Sequence, residues 1–179
     1  MTNQKIHEMI RVNHAGEMGA KVIYSGQIVA LKLKGDKESL KLVERMKKQE
    51  EEHFDYFDDL LKKEKVCPTL MQPIWQVGGF ALGFLTAILD KKAAMTCTTA
   101  VEEVIDEHYQ EQLNYLDKES GKNSFEQDLQ NKISKFRDEE LEHRDIGYEN
   151  DADKLLIFKP LSTFIKCTTK LAIAVSKKI

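Results

Sequence analysis

The chain has 179 residues, enough for one domain with a single core. Charged residues make up 32% and Gly and Pro are few, a composition typical of helical proteins. The formal net charge is −3 with no long block of one sign, which gives no electrostatic basis for nucleic-acid binding.

Taken in order, the elements read as helices throughout, with no strand-like alternation to compete. A first helix is expected over roughly Lys5–Lys34, stopped by Gly35. A second runs from Asp36, its N-cap candidate, to about Lys65. Pro68 and Pro73 bracket the break that follows, and Pro73 suits the first turn of the next segment. That segment, Ile74 to Leu89, reads IWQVGGFALGFLTAIL and carries no formal charge over sixteen residues. A spanning helix needs about 20 apolar residues, so the segment is expected to lie in a core or at a membrane surface. Another helix is expected over about Lys91–Leu116. DKESGKNS reads as a turn, and Asn123 with Glu126 fits a capping box for a helix reaching about Ile146. The last helix is placed after Asp151, with Pro160 as an interruption or kink.

The three cysteines, Cys67, Cys97 and Cys167, form no C-x-x-C pair. Their spacing gives neither a zinc site nor a disulfide framework, and points to a reducing compartment. The N-terminus shows neither an apolar signal core nor an Arg/Ser-rich transit pattern, so a cytoplasmic, bacterial setting is expected.

Two Glu-x-x-His motifs stand far apart, Glu50 to His53 and Glu140 to His143. Val43, Met46, Glu50, His53, Phe57 and Leu60 step by three or four, so Glu50 and His53 interrupt an inward-facing apolar stripe. Phe125, Leu129, Ile133, Phe136, Glu140, His143 and Gly147 repeat the pattern. Glu17 lies in line with Ile10, Tyr24, Ile28 and Leu31, and Glu102 with Ile105, Tyr109 and Leu116. The two helix pairs thus form a loose internal repeat, each with a Glu on its first helix and Glu-x-x-His on its second. Two Glu plus two Glu-x-x-His on four helices is the ligand pattern of a two-iron carboxylate site. Buried carboxylates repel one another and are costly unless a cation compensates them. Carboxylate with imidazole suits iron, and the i, i+3 spacing sets Glu and His side by side.

A single Glu-x-x-His would read as a solvated helix face; two copies on apolar stripes, each preceded by an in-line Glu, do not. Glu51, Glu52, Glu139 and Glu142 fall off the stripes and are expected in solvent. Glu102 is preferred to Glu103 because the stripe passes through Ile105 and Tyr109. His14 is left out of the ligand set and His108 is read as a surface or outer residue; Tyr24 and Tyr109, one helical repeat from ligands, are read as core packing, with a redox role or a hydrogen bond to a ligand as the alternative.

The runs RVNHAGEMGA around Glu17, GGFALGFLTAIL, AAMTCTTAVEEVIDEHY around Glu102 and FRDEELEHRDIG around Glu140 and His143 resemble demethoxyubiquinone hydroxylase, the ubiquinone-biosynthesis branch of the ferritin-like di-iron proteins. The resemblance covers nearly the whole chain, from Ile6 onward. It implies a single all-α domain over 1–179: a ferritin-like four-helix bundle, an apolar membrane-contacting segment at about 73–90 between the helix pairs, and a C-terminal amphipathic helix at about 151–179. It implies two iron ions, with Glu17, Glu50 and His53 on one and Glu102, Glu140 and His143 completing the second. The bridging carboxylate is left open. It also implies a monooxygenase that hydroxylates the ring of a polyprenylated demethoxy-benzoquinol, with O₂ as co-substrate and electrons from NADH. No G-x-G-x-x-G fingerprint is present to hold a dinucleotide.

A membrane surface is expected as partner, through Ile74–Leu89 and through Lys159, Lys166, Lys170, Lys177 and Lys178 of the last helix. That places the protein peripherally on the cytoplasmic face of the bacterial cell membrane. The resemblance also allows a homodimer and other ubiquinone-biosynthesis proteins as partners. The competing readings are a ferritin-like iron-storage or peroxide-detoxifying protein and a non-enzymatic helical adaptor at a membrane. A rubrerythrin-like peroxidase would need a rubredoxin-type cysteine pair, which the sequence lacks.

Overall fold

The computed structural model describes residues 2–118 and 123–178. Among these residues the regular structure is helical: α1 (Thr2–Lys34), α2 (Lys37–Glu64), α3 (Gln72–Leu89), α4 (Lys91–Lys118), α5 (Ser124–Glu149) and α6 (Phe158–Ser176), with a short 3₁₀ turn at Ala152–Lys154. The residues 119–122 of the expected DKESGKNS turn lie outside the described ones.

The boundaries follow local chemistry. Gly35 takes φ +71°, the left-handed conformation that ends α1 and costs a residue with a Cβ more than glycine. Asp36 then caps α2 by accepting from the Ser39 backbone N–H at 3.1 Å. Pro73 sits in the first turn of α3, where its missing N–H is not needed. At α5 both halves of the capping box form: Glu126 N–H donates to Asn123 at 2.9 Å, and Asn123 N–H donates to Glu126 at 3.1 Å.

The last helix departs from expectation. Asp151, at φ +66°, follows the end of α5, and α6 begins only at Phe158. Pro160 is therefore in the first turn of α6 rather than an interruption. The first helical bond there is Leu161 N–H to Ile157 at 3.1 Å, so Pro160 breaks no bond.

α1, α2, α4 and α5 form the central bundle, with α1 against α2 and α4 against α5. α3 crosses from one pair to the other, packed along α1 and touching α4. α6 lies on α4 and reaches α1. The α1–α3 seam is close because Gly26 and Gly83 carry no side chain: a Cβ on Gly83 would stand 2.0 Å from the Ile23 carbonyl oxygen, and one on Gly26 2.2 Å from that of Phe80. The interior divides into two apolar clusters. One is built around Ile10, Phe57, Tyr109, Leu129 and Ile133, the other around Tyr24, Val43, Met46 and Met95. α3 is not a core helix: its buried residues are Gly83, Thr86 and Ala87, while Ile74, Val77, Leu85 and Leu89 are exposed.

Candidate metal centre

All six side chains expected as ligands point into the bundle, each between 0% and 3% exposed. They come together as two overlapping groups. Glu17, Glu50, His53 and Glu140 form one, and Glu50, Glu102, Glu140 and His143 the other, with ligand atoms in each group within 4.8 Å of one another. Glu50 and Glu140 belong to both, which makes these two carboxylates the candidates to bridge a pair of ions. Each of them comes from a Glu-x-x-His motif, on α2 and α5 respectively.

Both imidazoles present Nδ1 to the centre. His53 Nδ1 lies 3.1 Å from Glu140 and 3.3 Å from Glu17. His143 Nδ1 lies 3.0 Å from Glu50 and 3.2 Å from Glu140. Their outer nitrogens are engaged across the α2–α5 seam: His53 Nε2 with Glu139 at 2.7 Å and His143 Nε2 with Gln49 at 3.0 Å. An outer partner of this kind fixes the tautomer and ring orientation of a metal-binding histidine. The expectation that Glu139 is simply solvated is thereby corrected, and Gln49 was not singled out by the sequence. Each sits off its own helix's stripe, beside the ligand of the facing helix. Glu51, Glu52 and Glu142 are exposed, as expected.

The tyrosines do more than pack. Tyr24 donates to Glu102 at 2.6 Å, and Tyr109 donates to Glu17. Burial, then the surrounding carboxylates, pushes both hydroxyls well above their usual range, so both remain protonated donors. Glu102 rather than Glu103 enters the centre; Glu103 instead accepts from Tyr148 and pairs with Lys166.

In the metal-free chain the charges compete. Burial, then repulsion from Glu140, pushes the carboxyls of Glu50 and Glu102 well above the usual range. Burial also disfavours ionised Glu140, but the adjacent imidazoles of His143 and His53 outweigh it and hold Glu140 at about 2. His53 resists its burial through Glu140 and Glu17 and is raised to about 12. The donor set fits a cation. Both oxygens of Glu50, one of Glu102, one of Glu140 and Nδ1 of His143 are fully buried without a hydrogen-bond partner. Buried polar atoms without partners are costly, and a divalent or trivalent ion would satisfy them together.

His14 stays outside both groups, 3.4 Å from Asp58 and with its ring tilted at 36° to that of Phe54, centroids 4.8 Å apart. His108 is also outside. Its ring faces Gln112 at 2.7 Å, and Gln112 exchanges two hydrogen bonds with Asn13 of α1, at 2.7 and 2.9 Å. Burial, then Lys177 and Lys5, lowers His108 to about 4, so a neutral ring accepts from the amide.

Beside the centre lies an apolar cavity of about 290 Å³. α1 contributes Gly16, Gly19 and Ala20, α4 contributes Val101 and Ile105, and α3 and α6 form the outer walls. Gly16 and Val101 are chain neighbours of Glu17 and Glu102. Trp75 of α3 donates to Ser176 of α6 at 3.2 Å, closing one end.

The sequence was compared with known proteins. The profile of the family described as "Ubiquinone biosynthesis protein COQ7" matches residues 4–176. A protein of Dictyostelium discoideum named "NADPH-dependent 3-demethoxyubiquinone 3-hydroxylase, mitochondrial" is 44% identical over 100% of this chain and 80% of its own length. The human protein of the same name is 42% identical over 97% of this chain and 78% of its own length. The "3-demethoxyubiquinol 3-hydroxylase" of Rhodospirillum rubrum is 45% identical over 97% and 78%.

Proposed function

The chain belongs to the COQ7 family of ubiquinone-biosynthesis hydroxylases, and from that membership we propose that it is a two-iron monooxygenase acting on the ring of a polyprenylated demethoxy-benzoquinol. The observation that carries the metal assignment is the pair of overlapping four-residue groups sharing Glu50 and Glu140. The relatives' names are those of hydroxylases, so the iron-storage alternative is not taken further.

In this reading Glu17, His53, Glu50 and Glu140 would hold one ion, and Glu50, Glu102, Glu140 and His143 the other. Iron bound there would supply O₂ activation and the redox change needed to put one oxygen atom on the ring and release the other as water. The protein's own groups hold that geometry. The Tyr109 and Tyr24 hydroxyls orient Glu17 and Glu102. Glu139 and Gln49 hold the imidazoles with Nδ1 inward. The two apolar clusters of the interior exclude water, which strengthens every charge interaction inside. The two electrons come from a reduced nicotinamide. The names of the eukaryotic relatives specify NADPH where the sequence resemblance suggested NADH.

The cavity between α3 and α6 is the route for the substrate's tail. Its lining is almost wholly apolar and includes exposed Phe164 of α6, and α3 carries exposed Val77 and Phe80. α3 is long and apolar enough to cross a membrane by length and composition, with only 17% of its 18 residues buried. We place this face against the lipid surface that holds the quinol, with the protein peripheral to the membrane.

The test supplies iron-loaded protein with a demethoxyquinol, NADPH or NADH, and O₂, and follows the product by mass spectrometry. One added oxygen and about two irons per chain are expected, and Glu50→Ala or His143→Ala should lose both. Full hydroxylation by either variant, or an active protein without iron, would overturn the assignment.

A further inference from the structure

Glycine inside a helix is unfavourable relative to alanine, so each one here needs a reason. Gly26, Gly79, Gly83 and Gly147 have one: a Cβ at any of them would stand 2.0–2.8 Å from a neighbouring atom. At Gly16 it would make ordinary contact with Ile105 at 3.6 Å. Gly19 in α1 and Gly78 in α3 differ. Neither has any atom within 4 Å of the place a Cβ would occupy, and neither has positive φ. Packing does not require glycine at either position, nor does backbone conformation.

Both line the same apolar cavity. Gly19 is half-buried in its wall and Gly78 is exposed at its mouth, and the two helices touch there, with Gly79 beside the Gly19 carbonyl. The space left by the two missing side chains borders this cavity, within its wall at Gly19 and at its solvent-open edge at Gly78. At about 290 Å³ the cavity is near the lower limit for ligand pockets, roughly 300–1,000 Å³, so one methyl group is a sizeable fraction of its bore.

We infer that Gly19 and Gly78 are specificity-determining residues that hold open the bore for the substrate's isoprenoid tail. The inference rests on the quinol reading above for the identity of the occupant. Apolar lining on α1, α3, α4 and α6 selects a hydrocarbon chain, and the absence of two side chains sets its allowed width. Ring positioning is left to the residues nearer the carboxylates.

Trp75 is the chain's one tryptophan and lines this cavity, so its emission reports occupancy without turnover. A polyprenyl alcohol, which has the tail but no ring, is titrated into iron-loaded wild type and into Gly19→Ala, Gly19→Leu and Gly78→Leu. Saturable binding is expected for wild type, with the midpoint raised at least tenfold in the leucine variants and by a smaller factor in Gly19→Ala. KM for a tailed demethoxyquinol should rise in the same order, and by a smaller factor for a tailless ring analogue. Gly19→Ala should melt at or above the wild-type temperature, because nothing crowds the added methyl.

Wild-type tryptophan emission that ignores the alcohol overturns the inference, as do folded leucine variants with unshifted midpoints. So does a lowered melting temperature in Gly19→Ala, which would return the glycine to packing. The two readings fail separately. Alcohol binding that obeys these shifts, without any oxygen added to the quinol, refutes the hydroxylase assignment and leaves the bore standing.

Discussion

At the residue scale, Glu50 shows what the centre costs without its ions. Its carboxyl is raised by burial first and then by Glu140 and Glu17, from an ordinary value of about 4.5. The unfolded chain keeps that ordinary value, so the metal-free fold loses stability as pH rises above about 4.5, where the unfolded carboxyl ionises and the buried one does not. Glu50→Gln removes the charge at nearly constant shape. We expect the iron-free variant to melt higher than the iron-free wild type at pH 7 while losing hydroxylation and the stabilisation that iron brings. Paired thermal melts with and without iron check this, and a lower metal-free melting temperature would contradict it. His108 titrates in the other sense. It is lowered from 6.5 to about 4, so between these values the unfolded chain binds the extra proton and stability rises with pH. The span corresponds to on the order of 3 kcal/mol at 1.36 kcal/mol per pH unit. His108→Gln should flatten the pH dependence of urea unfolding between about pH 4 and 6.5. The six ligand candidates were legible because each interrupts an apolar stripe on its own helix. Glu139 was misread, Gln49 went unnoticed and core packing was preferred for the two tyrosines over a hydrogen bond to a ligand because their partners lie on other helices, and periodicity along one helix carries no information about what faces it.

At the scale of elements, the helix ends were the clearest part of the sequence where capping chemistry is local. Asp36 and Asn123 act as the caps their spacing suggested. Asn123→Ala is expected to cost about 1 kcal/mol in chemical denaturation and to leave turnover unchanged, since the cap is remote from the carboxylates. The start of α6 was not legible. Leu155, Leu156 and Ile157 continue an apolar run that a helix could use, yet Leu156 is fully exposed and the chain turns there after left-handed Asp151. The seam between α1 and α3 gives a contrasting expectation. Gly83→Ala sets a methyl 2.0 Å from backbone that cannot yield without separating two helices. A loss of roughly 1–3 kcal/mol follows from overpacking, read as a lower urea midpoint.

At the scale of the whole molecule, the outward faces of α3 and α6 combine exposed Val77, Leu85, Phe164 and Leu171. Lys166 and Lys170, read from the sequence as membrane-facing, are instead paired with Glu103 at 2.5 Å and Glu107 at 2.7 Å on α4. Apolar contact rather than those two charges therefore dominates the membrane reading. Val77→Lys with Phe164→Glu should reduce co-sedimentation with anionic liposomes several-fold while iron content is kept. Unchanged sedimentation would point to a second protein as the cover of this face. The charge-free stretch in the sequence foretold an apolar helix, but not whether a core or a bilayer takes it. That depends on which of its faces α1 leaves uncovered.

His53 of the first helix pair approaches Glu140 of the second, and His143 of the second approaches Glu50 of the first. Neither hairpin alone owns a complete coordination sphere. On the two-iron reading proposed above, loading iron would join the two halves of one chain: an ion would be captured only while they are docked, and would then clamp them. Chelators should therefore loosen the molecule along the plane between its halves before either hairpin melts.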